Sequence, residues 1–104
     1  MVYISNALAA QMLPEGNVSL VKTDITPEEA KELLKGEFQS AVGHADIARI
    51  LSGMVGVEIP MNRINVALNQ GDILVIGAYI GPRLPEGATS LPEGATIKLM
   101  KVSL

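Results

Sequence analysis

The stretch Ile73-Leu74-Val75-Ile76-Gly77-Ala78-Tyr79-Ile80 decides the fold. It carries no charge, it is far shorter than the ~20 apolar residues of a membrane span, and turns bound it on both sides. Such a run reads as a strand buried on both faces, and therefore as the centre of a sheet with cover on each side. Just before it, Asn69-Gln70-Gly71-Asp72 is a hairpin signal, and Arg63 to Leu68 alternates as a strand does. Just after it, a loop at 81–96 holds a direct repeat, Leu84-Pro85-Glu86-Gly87-Ala88-Thr89 and Leu91-Pro92-Glu93-Gly94-Ala95-Thr96, which reads as two successive turns. A last strand follows at Ile97 to Val102. A loop of that length in so short a chain is a candidate active-site lid.

Further upstream, Val2 to Ser5 is β-branched and aromatic and predicts a first strand, ending at Asn6. Ala7 to Leu13 are good helix formers, Leu13-Pro14-Glu15-Gly16 is a turn, and Val18 to Thr23 predicts a second strand. Thr26-Pro27-Glu28-Glu29 has a capping hydroxyl, proline at the first helical position and glutamate three residues after the cap, which sets a helix at 27–35 with Gly36 as its stop. Phe38 to Val42 predicts a short strand. Ile47, Ile50, Leu51 and Met54 then recur at i, i+3, i+4 and i+7, so a second helix starts just after His44 and ends at Gly53 to Gly56. Strands interleaved with two to three helices give a single domain over residues 1–104, α/β on the α+β border, with a mixed sheet flanked by helices.

The 104 residues are 48% hydrophobic and 18% charged, with mean hydropathy +0.33, which suits a folded domain rather than a disordered tail. Only Tyr3, Phe38 and Tyr79 are aromatic, too few to build base-stacking platforms for single strands. A net charge of −3, with Arg49, Arg63 and Arg83 the only arginines, argues against sequence-independent grip on long nucleic acid. A small anion in a local pocket stays open. There is no cysteine and one histidine, which removes disulfides, thiolate zinc and a cysteine nucleophile, and no metal or cofactor is expected. The first residues lack a basic leader and no stretch is a membrane span, so the expectation is a soluble, cytoplasmic protein.

His44 is the only side chain whose ordinary titration lies near neutrality, and a helix entrance places it beside free N–H groups that favour phosphate. That pairing suits phosphodiester cleavage in which a neighbouring 2′-hydroxyl attacks its own phosphate and histidine protonates the departing 5′-oxygen. The plainer reading is a capping or packing histidine. Arg63 and Arg83 have the planar forks that clamp phosphate oxygens, or else they are surface ion pairs. Asn6, at a strand end, can hydrogen-bond a base or ribose, or is simply a turn residue. Glu86 can orient a hydroxyl or an arginine, yet Glu15 and Glu93 occupy the same place in two other Leu-Pro-Glu-Gly turns. Asp46 is explained by the helix dipole. Phosphate loops, dinucleotide fingerprints, nucleophile elbows and metal-binding histidine pairs are absent.

Tyr3-Ile-Ser-Asn6-Ala, Ser40-Ala-Val-Gly43-His44-Ala-Asp-Ile, Leu51-Ser-Gly-Met-Val-Gly-Val, Asn62-Arg63-Ile and Pro82-Arg83-Leu-Pro-Glu86-Gly87 together resemble the small viral and bacterial ring nucleases of the type III anti-CRISPR family. The resemblance covers most of the chain. It implies a homodimer that binds cyclic tetra-adenylate at its interface and cuts it without metal, switching off type III CRISPR signalling in a bacterial or archaeal host. By the same resemblance His44 falls on the general acid, Glu86 on a catalytic glutamate, and Asn6, Gly43, Arg63 and Arg83 on substrate-binding positions. The chain departs from the family pattern at Ala9, Tyr79 and Gly81-Pro82, where polar residues occur, and the second Leu-Pro-Glu-Gly-Ala-Thr turn replaces a helix. The departures at Ala9 and Pro82 keep open a sponge that binds the cyclic nucleotide without cutting it, and a third reading, from another class, is a regulatory or structural interaction protein.

Overall fold

Ile73–Ile80 forms β4, the middle strand of a five-stranded mixed sheet in a computed structural model that describes all residues 1–104. The other strands are β1 (Val2–Ser5), β2 (Val21–Asp24), β3 (Phe38–Ser40) and β5 (Thr96–Ser103), in spatial order β2-β5-β4-β1-β3. Strand β1 lies between β3 and β4 and is parallel to both, whereas β5 is antiparallel to β4 and to the edge strand β2. No helix is long and apolar enough to cross a membrane.

Two α-helices cover one face. Helix α1 (Pro27–Leu33) starts with the capping box read from sequence: the Glu29 N–H donates to Thr26 Oγ1 and the Thr26 N–H to Glu29 Oε1, both at 3.1 Å. Helix α2 (Ala45–Val55) turns Ile47, Ala48, Ile50, Leu51 and Val55 inward and ends at Gly56, whose φ of 80° only glycine takes without strain. It approaches β4 at Gly77, where a Cβ would lie 2.4 Å from Leu51 Cδ2. Leu51 is fully buried there, and truncating it to alanine costs about 2–5 kcal/mol.

The alternation along β4 sends Val75 to the helix side with Ile4, Ile97 and Leu99, and Leu74 and Ile76 to the opposite side with Val102. That second face is covered by extended chain, chiefly Val66 and Leu68, together with Met12 and Leu13. A strand buried on both faces is thus what the apolar run specified, but only one of the two covers is helical.

This second cover explains where the sequence reading fails. Residues 63–68 alternate in burial, with Val66 and Leu68 inside, yet they form no strand: they lie across a sheet face, where alternation hides one side without a ladder partner. The Asn69–Asp72 turn forms, with the Asp72 N–H donating to the Asn69 carbonyl at 3.0 Å, but it joins extended chain to β4 rather than two strands. Ala7 to Leu13 yields only a single 3-10 turn at Ala10–Met12, because a stretch so short before a proline cannot carry the cost of helix nucleation. Strand β2 starts three residues later than its hydrophobic pattern, at the first residue with a partner in β5. Beyond Ser40 the β3 ladder gives way to a lone bridge between Val42 and Met61, and Gly53 lies inside α2 rather than at its end.

Candidate functional site

Three parallel strands deliver their carboxyl ends to one edge of the sheet, the place where open α/β sheets form ligand crevices. Strand β1 ends into Asn6, β3 runs on to Gly43 and His44 at the start of α2, and β4 ends into Gly81-Pro82-Arg83. The ends are stitched together. Asn6 Oδ1 accepts from the Gly43 N–H at 3.2 Å, the Ser5 hydroxyl donates to the Ala41 carbonyl at 3.4 Å, and Arg63 Nε donates to the Gly43 carbonyl at 2.9 Å.

On the helix side of this edge, Asn6, His44, Tyr79, Pro82, Arg83 and Leu84 line a cavity of about 340 Å³. That volume is at the small end for ligand pockets and admits one nucleotide-sized group rather than a four-nucleotide ring. His44 is itself the N-cap of α2: its Nδ1 accepts from the Ile47 N–H at 3.3 Å, so the remaining ring proton of the neutral imidazole sits on Nε2. The capping reading of His44 is therefore correct as structure. The ring is exposed, and it shares the pocket with Arg83, which makes no ion pair and has no carboxylate to neutralise it.

A second cavity of about 360 Å³ opens on the other side of the same edge, between Asn6, Ala9, Met12, Gly43, Arg63 and Asn65. Asn6 borders both cavities. Arg63 is thus separated from Arg83 by the strand ends, and neither arginine is a surface ion pair. Arg63 leads an extended segment rather than a strand. Glu86 lines neither cavity: it is exposed at the tip of the first Leu-Pro-Glu-Gly turn, as Glu15 and Glu93 are at theirs. No three histidine, aspartate or glutamate side chains converge.

The loop after β4 is a pair of turns, as the repeat indicates, with Ala88 N–H to the Pro85 carbonyl at 3.2 Å and Ala95 N–H to the Pro92 carbonyl at 3.1 Å. Asp46, which the dipole argument set aside, and Arg49 hold the first turn. Asp46 Oδ2 accepts from the Gly87 N–H at 3.1 Å, and Arg49 Nη1 donates to the Ala88 carbonyl at 3.3 Å and to Asp46 Oδ1 at 3.1 Å. Their i, i+3 spacing is visible in the sequence, but nothing local marks their partners, 41 and 39 residues away. Tyr79 lines the pocket and its hydroxyl donates to the Pro82 carbonyl.

Residues 2–101 match the model of the STIV B116-like family. Uncharacterized protein 26 of Sulfolobus islandicus filamentous virus (isolate Iceland/Hveragerdi) is 43% identical over 88 residues, which are 84% of this chain and 74% of that protein. Uncharacterized protein ORF117 of Acidianus two-tailed virus is 39% identical over 66 residues, 61% of this chain and 56% of that protein. Among solved structures, B116 of Sulfolobus turreted icosahedral virus superposes with a TM-score of 0.82 over 99% of this chain and 98% of its own, at 24% identity, a likeness of fold. The chain belongs to the STIV B116-like family, whose relatives named here are proteins of viruses.

Proposed function

We propose that this protein is a metal-independent ring nuclease that opens cyclic tetra-adenylate. The observation that supports it most is the convergence of Asn6, His44 and Arg83 in one pocket at the carboxyl ends of parallel strands and the N-terminus of α2. Those groups are hydrogen-bond donors, a proton carrier and a cation, the set needed to hold a phosphodiester and protonate a leaving oxygen.

In the reaction a ribose 2′-oxygen forms a bond to its adjacent phosphorus, the bond from phosphorus to O5′ breaks, and the 2′-hydroxyl proton leaves to solvent. His44 supplies the proton that O5′ takes up. The products are linear adenylates with a 2′,3′-cyclic phosphate at one end and a 5′-hydroxyl at the other. An imidazolium carries protons on both nitrogens and cannot accept from the Ile47 N–H, so the acid form has to release the α2 cap. A phosphate oxygen at the helix N-terminus is the natural replacement acceptor, which couples binding of the substrate to freeing of the acid. Arg83 bears on the phosphate in this pocket, Arg63, oriented by the Gly43 carbonyl, on a neighbouring one across the strand ends, and Glu86 acts from the tip of the adjacent turn.

One pocket is too small for the ring, so the active species is a homodimer that grips it about a two-fold axis, with Arg63 and Arg83 of each protomer, four arginines in all, facing four phosphates. A second reading, a sponge that holds the ring intact, is favoured by Ala9 and Pro82, apolar residues lining the two cavities.

The test is incubation with cyclic tetra-adenylate and cyclic hexa-adenylate in EDTA, with products read by mass spectrometry. Linear fragments ending in cyclic phosphate are expected from the tetramer, and an intact ring that co-elutes with the protein selects the sponge. His44→Asn keeps an oxygen to accept from Ile47 while removing the acid, and should lower turnover by ~10²–10⁴-fold with binding little changed. Full activity in that variant would overturn the assignment.

A further inference from the structure

We propose that Asp46 and Arg49 form a clasp that positions Arg83 in the pocket by holding the first Leu-Pro-Glu-Gly turn against α2; this rests on the ring-nuclease reading of the site. Asp46 uses both carboxylate oxygens, Oδ2 on the Gly87 N–H and Oδ1 on Arg49, and its side chain is only 13% exposed. Arg49 closes the arrangement by donating to the Ala88 carbonyl. Asp46 is also two residues past His44, in the first turn of the same helix. The segment that lines the pocket, Pro82 to Leu84, is therefore suspended between two tethers: the Tyr79 hydroxyl on the Pro82 carbonyl, and the clasp at Gly87 and Ala88.

Arg83 has no ion-pair partner of its own to fix it. Its place in the cavity is inherited from the backbone on either side. The helix dipole accounts for an acid at Asp46, but not for a largely covered carboxylate whose second oxygen is spent on a loop amide forty-one residues away. Both contacts to the loop are to backbone groups, so the clasp constrains the path of the turn whatever side chains it bears. A binding-competent loop populated only part of the time weakens apparent affinity by that fraction, which gives the clasp a distinctive kinetic signature.

Amide hydrogen exchange on the whole chain tests this without any ligand. In Asp46→Ala and in Arg49→Gln, which leaves the charge at the helix N-terminus intact, exchange at the Gly87 and Ala88 amides should rise about tenfold, with Ala95 in the second turn and the β4 amides unchanged. Unchanged exchange at Gly87 and Ala88, or an equal rise at Ala95, overturns the clasp. With cyclic tetra-adenylate as probe, Arg49→Gln should raise KM about tenfold and leave kcat within about twofold. A faster-exchanging loop with unaltered KM overturns the positioning role. If the wild-type protein neither binds nor cuts the ring, the nuclease reading fails on its own, and the exchange data still decide whether the clasp exists.

Discussion

The two hexapeptides Leu84–Thr89 and Leu91–Thr96 are identical in sequence and fold into the same turn, with Gly87 at φ 78° and Gly94 at φ 82°, but they do different things. The first is held from outside by side chains of α2, and its first residue, Leu84, walls the pocket. The second is held by backbone: Ala95 packs so closely on Gly81 that a Cβ there would lie 2.7 Å from the Ala95 Cα, at a φ of 151° that already disfavours side chains. Local sequence dictates the turn, and the neighbours that tertiary structure supplies dictate its use. The second turn packs on Gly81, and the two are positions at which the chain departs from the family pattern that it resembles.

The largest way to break the symmetry is Gly81→Ala, which combines backbone strain with a clash against backbone and should destabilise by about 2–4 kcal/mol. Thermal denaturation should show Tm falling by more than about 10 °C; a shift of a degree or two would mean the second turn is not docked as described. Next is Glu86→Ala beside Glu93→Ala. Only Glu86 sits on the turn clasped to α2, so it alone should reduce ring turnover, by about tenfold, and equal behaviour of the pair would leave Glu86 a turn residue like its twin. Smaller, and deliberately equal, are Gly87→Ala and Gly94→Ala, which meet open space but carry the left-handed backbone, at about 1 kcal/mol each. Chemical denaturation that separates the two would show that the turns are not locally equivalent.

The smallest effect lies away from both turns and sets the background for the others. The side-chain hydrogen bond from Lys22, then its charge, and more weakly that of Lys98, hold the Asp24 carboxyl below its ordinary 3.8. A group depressed on folding stabilises above its unfolded value and loses that contribution as the pH falls through the folded one. Because the pair is solvent-exposed, Lys22→Ala should shift Tm by only about 1 °C at pH 6 and by nothing measurable near pH 2.

Much of this was legible in the sequence, for identifiable reasons. The apolar run at 73–80, the capping box at Thr26 and the i, i+3, i+4 spacing after His44 are signals carried within a few residues, and β4, α1 and α2 form where those signals put them. Asn6 and His44 are nameable because each closes or opens a regular element, Arg83 because its guanidinium is one of only three in the chain, and the topology brings them to one pocket. The extended cover at 63–68 was misread as a strand because burial alternates identically on a ladder and on a face. Arg63 in a separate cavity, and Asp46 on a distant amide, depend on which loop passes which strand end, and no local pattern encodes that.

The central placement of β1 bears on how the chain reaches its fold. Val2–Ser5 has no sheet neighbour near it in sequence: it pairs with Phe38–Ser40 on one side and Ile73–Ile76 on the other. During synthesis at about 5–20 residues per second, the first strand waits several seconds before β4 exists to receive it. Closing so wide a loop precedes any reward from the parallel pairs, so folding should be slow for a chain of this size and should follow the docking of β1 into its slot.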